Sequence, residues 1–164
     1  MKKVILVVDN IRSTHNVGSL LRTCDGLGVF HVYLCGITPY PRSGESDTRL
    51  PHIVERLQKD IHKTALGAEE SQKWSYVQKT DEILKELKND GWTIVALEQT
   101  NKSVPVTDYL VHTNTVLVVG TEVTGIDEPI LKICDLAIDI PMKGKKESLN
   151  VSVAAAIALF WITK

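Results

Sequence analysis

Long apolar runs are missing from this chain of 164 residues. The first such run, Val4 to Val8, follows Met1-Lys2-Lys3 and leads straight into Asp9-Asn10. It is too short for the core of a secretory signal, and no stretch approaches the length of a membrane-spanning helix. Charge of one sign is missing too. Lys and Arg number 19 and Asp and Glu number 20, a formal net charge of −1. The surface as a whole does not attract a polyanion, so any nucleic-acid contact has to be a local basic patch. Cysteine is scarce. Cys24, Cys35 and Cys134 are odd in number, widely spaced and without a CxxC pair, which argues against a zinc site or a disulfide framework. Their simplest role is as small buried thiols in a reducing compartment, and we expect a cytoplasmic protein.

Common chemical signatures are also absent. Gly26-Leu27-Gly28 begins like a dinucleotide fingerprint, but it ends a helical pattern and leads into a strand, the reverse of the required context. Gly120 and Gly125 have the spacing of a phosphate-binding loop, yet Ile126-Asp127 stand where Lys and Ser or Thr are needed. The histidines (His15, His31, His52, His62, His112) show no metal-ligand spacing such as HExxH. No Gly-x-Ser-x-Gly elbow is present.

What is present is an ordinary globular composition, without repeats, of a length that suits one domain. Lys3 to Val8 is a β-branched run ended by turn formers, the mark of a strand buried on both faces. Val17, Leu20, Leu21 and Cys24 predict a helix over 16–25, closed by Gly26 and Gly28. His31 to Cys35 reads as a second strand. Residues 36–50, with Pro39, Pro41 and Gly44, read as a loop free to move. A helical stripe follows from Pro51 through Ala65, then a short strand at Ser75 to Val77. Asp81 to Lys88 is an amphipathic helix with Thr80 as its cap and Gly91 as its stop. Trp92 to Leu97, Thr115 to Val119 and Leu136 to Ile140 read as strands, and Asp127 to Cys134 as a short helix. Ser148 to Thr163 is the final helix, with Ser148 as cap. This alternation predicts an α/β domain with a mainly parallel sheet, residues 1–164 forming one unit. From Leu149 to Ile162 only Asn150 and Ser152 are polar. A helix apolar all round is buried all round, so we expect a second subunit to cover one side of it.

Three segments are more polar than turns alone require. The first runs from Asn10 through Asn16 and Arg22 to Asp25, the second from Val119 to Ile126, and the third from Ile140 to Ala154. Each follows an apolar strand, at the carboxyl edge where open α/β sheets bind ligands.

Together these segments resemble the three motifs of the SpoU/TrmH family of RNA 2′-O-ribose methyltransferases, in the SPOUT superfamily. The combination NVGxxxRTCD, GxExxGI and IPMxGxxxSLNVSVAxA occurs here in order and spans nearly the whole chain. The resemblance implies a parallel sheet with helices on both faces and a deep C-terminal trefoil knot. It implies a homodimer through the last helix, S-adenosylmethionine as cofactor with S-adenosylhomocysteine as product, no metal, and tRNA or rRNA as partner. Some members of the family carry an additional N-terminal RNA-binding domain; this chain is expected to work as a catalytic domain without one.

Roles carry over residue by residue. Leu117, Val119, Gly120, Ile140 and Met142 would frame the cofactor, with Gly144, Leu149 and Val151 closing over it and Glu122 and Ser148 in contact. Gly120 and Gly144, lacking Cβ, would let backbone atoms approach it. Arg22 would activate the ribose hydroxyl, and Asn16, Glu122, Ser148 and Asn150 would complete the catalytic group. Arg22 and Glu122 have plainer roles in surface ion pairs, and Asn16 and Ser148 as helix caps. Arg12, Arg22, Lys143, Lys145 and Lys146 would meet RNA phosphates, joined by Arg42 and Arg49 unless these are solvated surface charges. Methyl transfer from a sulfonium is an in-line displacement, so positioning the 2′-oxygen is most of the task. Two alternatives stay open: base methylation on the same fold, and an RNA-binding module without catalysis.

Overall fold

The structure is a computed structural model that describes residues 2–164. It contains seven strands: β1 (Val4–Asp9), β2 (His31–Cys35), β3 (Trp74–Val77), β4 (Thr93–Leu97), β5 (Val104–Pro105), β6 (Thr115–Val119) and β7 (Leu136–Asp139). The helices are α1 (Thr14–Gly26), α2 (Pro51–Ala65), α3 (Ala68–Ser71), α4 (Thr80–Asn89), α5 (Glu128–Leu131) and α6 (Val151–Thr163). The sheet order is β3-β2-β1-β6-β4-β7-β5, and every neighbouring pair is parallel.

Burial follows the two-residue period of a strand. Val4, Leu6 and Val8 of β1 join Leu117 and Val119 of β6 in one core, under Leu20 and Leu21 of α1 and Ala155 and Leu159 of α6. Ile5 and Val7 join Val116 and Val118 in the opposite core, under Leu84 and Leu87 of α4. Both faces of the central strands are therefore covered, which is why they read as unbroken apolar runs.

The chain runs outward from β1 through β2 to β3, then crosses to the other side of β1 to build β4, β6 and β7. The direction of winding changes between β1 and β6. In doubly wound sheets, the crevice at the carboxyl ends of such strands is the expected ligand site.

Three helix caps differ from the sequence expectation. Ser13, not Asn16, caps α1, accepting from the Asn16 backbone N–H at 3.2 Å. Asn150, not Ser148, caps α6, accepting from the Ser152 backbone N–H at 2.9 Å. Thr80 opens α4 without capping it, because its hydroxyl donates to the buried carboxylate of Asp9. Burial raises the Asp9 pKa, and that hydrogen bond opposes the rise. The cysteines are unpaired, and burial raises the Cys35 thiol to about 12 and the Cys134 thiol to about 11.

The loop over 36–50 is tied together from within. Arg49 donates to both carboxylate oxygens of Asp47 at 2.9 and 2.6 Å, and to the carbonyls of Tyr40 and Pro41 at 2.8 Å each. Arg49 is thereby committed to holding the loop, not free to meet a phosphate.

Candidate active site

The segment after β6 folds back on itself. Thr121 and Gly125 exchange backbone hydrogen bonds at 3.0 and 3.1 Å, and the Thr121 and Thr124 hydroxyls pair at 2.7 Å. This tight loop lifts Glu122 and Val123 into solvent. A Cβ on Gly120 would stand 2.4 Å from the Gly125 carbonyl oxygen. Glycine is thus required there by the loop's own closure, a different reason from the ligand approach expected from sequence. A Cβ on Gly144 would meet nothing, so no contact in the structure demands glycine at that position.

Two residues outside the three motifs tie the loops together. Glu98, just past β4, accepts from the Ile126 backbone N–H at 2.9 Å and from the Gln99 N–H at 3.0 Å. Gln99 in turn donates from Nε2 to the Glu147 carbonyl at 3.0 Å. β4 lies between β6 and β7, so its end clamps the loop that follows each neighbour. Sequence reading passed over both residues. The one available signal was a carboxylate and an amide directly after a buried strand.

The three motif segments then meet. Asn16 donates from Nδ2 to Glu122 Oε1 at 2.8 Å, and Asn150 donates from Nδ2 to Asn16 Oδ1 at 3.2 Å. Freed from capping, the Asn16 side chain bridges groups 106 and 134 residues away in sequence. Asn150 keeps its Oδ1 for Ser152, taking the backbone N–H at 2.9 Å and the hydroxyl at 2.6 Å. Gly18, from the same motif, serves packing: a Cβ there would stand 2.3 Å from the Ile61 carbonyl of α2.

Beside the junction is a cavity of about 460 Å³, within the usual range for small-molecule sites. Val119, Gly120, Glu122, Ile140, Met142, Ser148, Leu149, Asn150 and Val151 line it, together with Leu97, Glu98 and Gln99. Leu117 does not line the cavity; it is fully buried within β6. Gly144 does not line it either. Lys143, Lys145 and Lys146 are exposed on the loop past β7 and, among the described residues, make no ion pair.

Arg22 is exposed, lies outside the cavity lining, and has no ion-pair or hydrogen-bond partner among the described residues. It sits six residues after Asn16, which on a helix means about 9 Å along the axis and about 240° around it. Within one chain the helix therefore turns Arg22 away from the side on which Asn16 meets Glu122.

Residues 3–160 match the SpoU rRNA Methylase family. The chain belongs to this family. Among SpoU relatives, the tRNA (guanosine(18)-2′-O)-methyltransferase of Aquifex aeolicus is 35% identical over 162 residues, covering 97% of this chain and 68% of that protein. The 23S rRNA (guanosine-2′-O-)-methyltransferase RlmB of Nitrosomonas europaea is also 35% identical, covering 96% of this chain and 54% of the relative. The solved A. aeolicus TrmH/SpoU tRNA modifying enzyme has a TM-score of 0.78 at 31% identity, over 99% of this chain and 75% of its own. The SpoU methyltransferase AviRb of Streptomyces viridochromogenes, solved with AdoMet, has a TM-score of 0.80 at 22% identity, over 99% of this chain and 57% of its own. That last likeness bears on the fold alone. This chain thus spans between about half and three quarters of these relatives' lengths.

Proposed function

We propose that this chain transfers a methyl group from S-adenosylmethionine to the 2′-hydroxyl of a ribose in tRNA or rRNA. The observation that carries the reading is the Asn16–Glu122–Asn150 junction beside the cavity. Residues from three separate polar segments are joined there by hydrogen bonds of 2.8 and 3.2 Å. A stability role alone does not call for an exposed polar junction of this kind.

The cavity suits the cofactor's chemistry. Val119, Ile140, Leu149 and Val151 offer apolar walls, while Glu98 and Glu122 supply carboxylates for a cationic ligand. When bound, S-adenosylmethionine would supply the methyl group on a positively charged sulfur. Glu122 would hold Asn16 in place and face that positive charge. Lys143, Lys145 and Lys146 would meet RNA phosphates beside the site. The knot implied by the family resemblance accords with the loops after β4, β6 and β7 converging on one cavity.

Arg22 belongs to this reading through a second copy of the chain. α6 packs on α1 and on the sheet, yet leaves Val153, Ile157 and Phe160 exposed on one side. A homodimer that covers this side would cover the neighbourhood of α1 as well, and could carry Arg22 to the cavity of its partner. Guanidinium stays protonated in proteins, so Arg22 would act as an electrostatic clamp on phosphate and on the developing alkoxide. A cytoplasmic location fits an RNA substrate and unpaired thiols.

The test is transfer of tritiated methyl groups to unmodified total RNA, followed by alkaline hydrolysis. A methylated ribose cannot cleave the adjacent phosphodiester, so the label is expected in alkali-resistant dinucleotides. Label in mononucleotides would instead mean base methylation. Cofactor binding with no label would mean an RNA-binding module without catalysis.

A further inference from the structure

A second cavity, of about 440 Å³, opens at the same edge of the sheet. Arg12 from the β1–α1 connection, Ile37 and Tyr40 from the loop after β2, Leu57 of α2 and Tyr76 of β3 line it. Its back wall is a fixed stack. The Arg49 guanidinium, held by Asp47 and two carbonyls, lies 3.6 Å from the centre of the Tyr40 ring. The Tyr76 ring stacks on Tyr40 with centroids 4.2 Å apart and planes 23° from parallel. Two groups this close cannot share one face of Tyr40, so the order is Arg49, Tyr40, Tyr76.

Tyr76 is the outer layer, 37% exposed, with its hydroxyl donating to the Gly36 carbonyl at 2.8 Å. The floor is fixed as well. Thr38 donates from its hydroxyl to the Val8 carbonyl at 3.3 Å and accepts from the Ile11 N–H at 3.1 Å, while Ile37 N–H donates to Asn10 Oδ1 at 3.0 Å. Against this rigid wall Arg12 is exposed and, among the described residues, makes no ion pair or hydrogen bond.

We propose that this cavity is a nucleobase subsite. An unpaired base of the substrate RNA, a few nucleotides from the methylated one, stacks on the outer face of Tyr76, and Arg12 meets its phosphate. The inference rests on the RNA reading above and adds the feature of RNA that is recognised. Three observations carry it. A stack built only for packing would be closed off, whereas all three of its layers line a cavity and Tyr76 is exposed. Single-stranded RNA is held by base stacking on aromatic rings beside cations, which is the combination present. The position also fits: three strand intervals separate β3, which carries Tyr76, from β6, about 14 Å at ordinary strand spacing. A few nucleotides of one strand bridge that gap. Arg12 stands four residues before Asn16, on the β1–α1 connection.

The experiment compares binding of a single-stranded adenylate RNA octamer and an abasic octamer of the same backbone, read by fluorescence anisotropy. The wild-type chain is expected to prefer the base-bearing strand by about tenfold or more. Tyr76→Phe keeps the ring and should keep the preference. Tyr76→Ala should bind both strands alike while still binding S-adenosylmethionine, which shows that it is folded. Arg12→Ala should weaken both strands equally. An undiminished preference in Tyr76→Ala, or no preference in the wild type, overturns the subsite. Base-dependent binding without methyl transfer to any RNA would leave the subsite standing and overturn the catalytic reading. Methyl transfer with an RNA KM unchanged by Tyr76→Ala would do the reverse.

Discussion

Arg22 carries the most weight of any side chain in the proposed reaction, and its own chemistry limits what it can do there. A guanidinium beside a phosphate is still harder to deprotonate, because the anion favours the charged form. Its remaining value is a planar fork of donors that holds phosphate and alkoxide together. Arg22→Ala should therefore lower kcat by about 10²–10³ while S-adenosylmethionine binds with unchanged affinity in calorimetry. Arg22→Lys keeps the charge and loses the fork, and should recover part of that loss. A lysine variant as inactive as the alanine variant would count against a role resting on charge alone. Residues of the candidate site could be named from sequence, but their local partners could not. Ser13, Thr14 and Asn16 are all good cap formers within four residues. Only the fold reveals that Ser13 takes the cap and leaves Asn16 free to reach Glu122.

At the scale of elements, the strands and longer helices follow from apolar periodicity, to within a few residues at their ends. The pieces that escaped were β5, two residues long with a proline, and α3, a single turn. Neither is long enough to show a period. The loop over 36–50 holds a tie that its sequence does not show. Its prolines and Gly44 suggest freedom, but Arg49 and Asp47 bind it from within, and composition does not show pairing. That clamp makes the loop sensitive to acid. The Arg49 side chain holds the Asp47 carboxyl well below its usual range. A carboxyl with a lower pKa in the fold than its unfolded value of about 3.9 contributes stability above that pH, and the contribution is lost as pH falls toward the folded value. Asp47→Asn should therefore melt below wild type at pH 7, with the gap closing as pH drops below about 4. A gap independent of pH would contradict the ion-pair account.

At the scale of the whole molecule, alternating strands and helices announced a parallel sheet, but not the strand order that sets β1 beside β6. That neighbourhood arises from a crossover spanning most of the chain, which no local pattern encodes. The exposed side of α6 points beyond a single copy. Phe160 is 62% exposed on that side, and a charge there should be tolerated in a monomer and not in a dimer interface. Phe160→Glu is expected to keep its circular dichroism spectrum, shift from dimer to monomer in light scattering, and lose methyl transfer. A fully active monomer would show that each chain completes its own site. In the proposed reaction, three segments remote in sequence act as one catalytic unit. The most direct measurement is kcat for RNA methylation in Asn16→Ala, Asn150→Ala and the double variant. Groups that act as a unit are non-additive, so the double variant should be about as slow as the slower single one. Losses that multiply would mean that the two asparagines act independently.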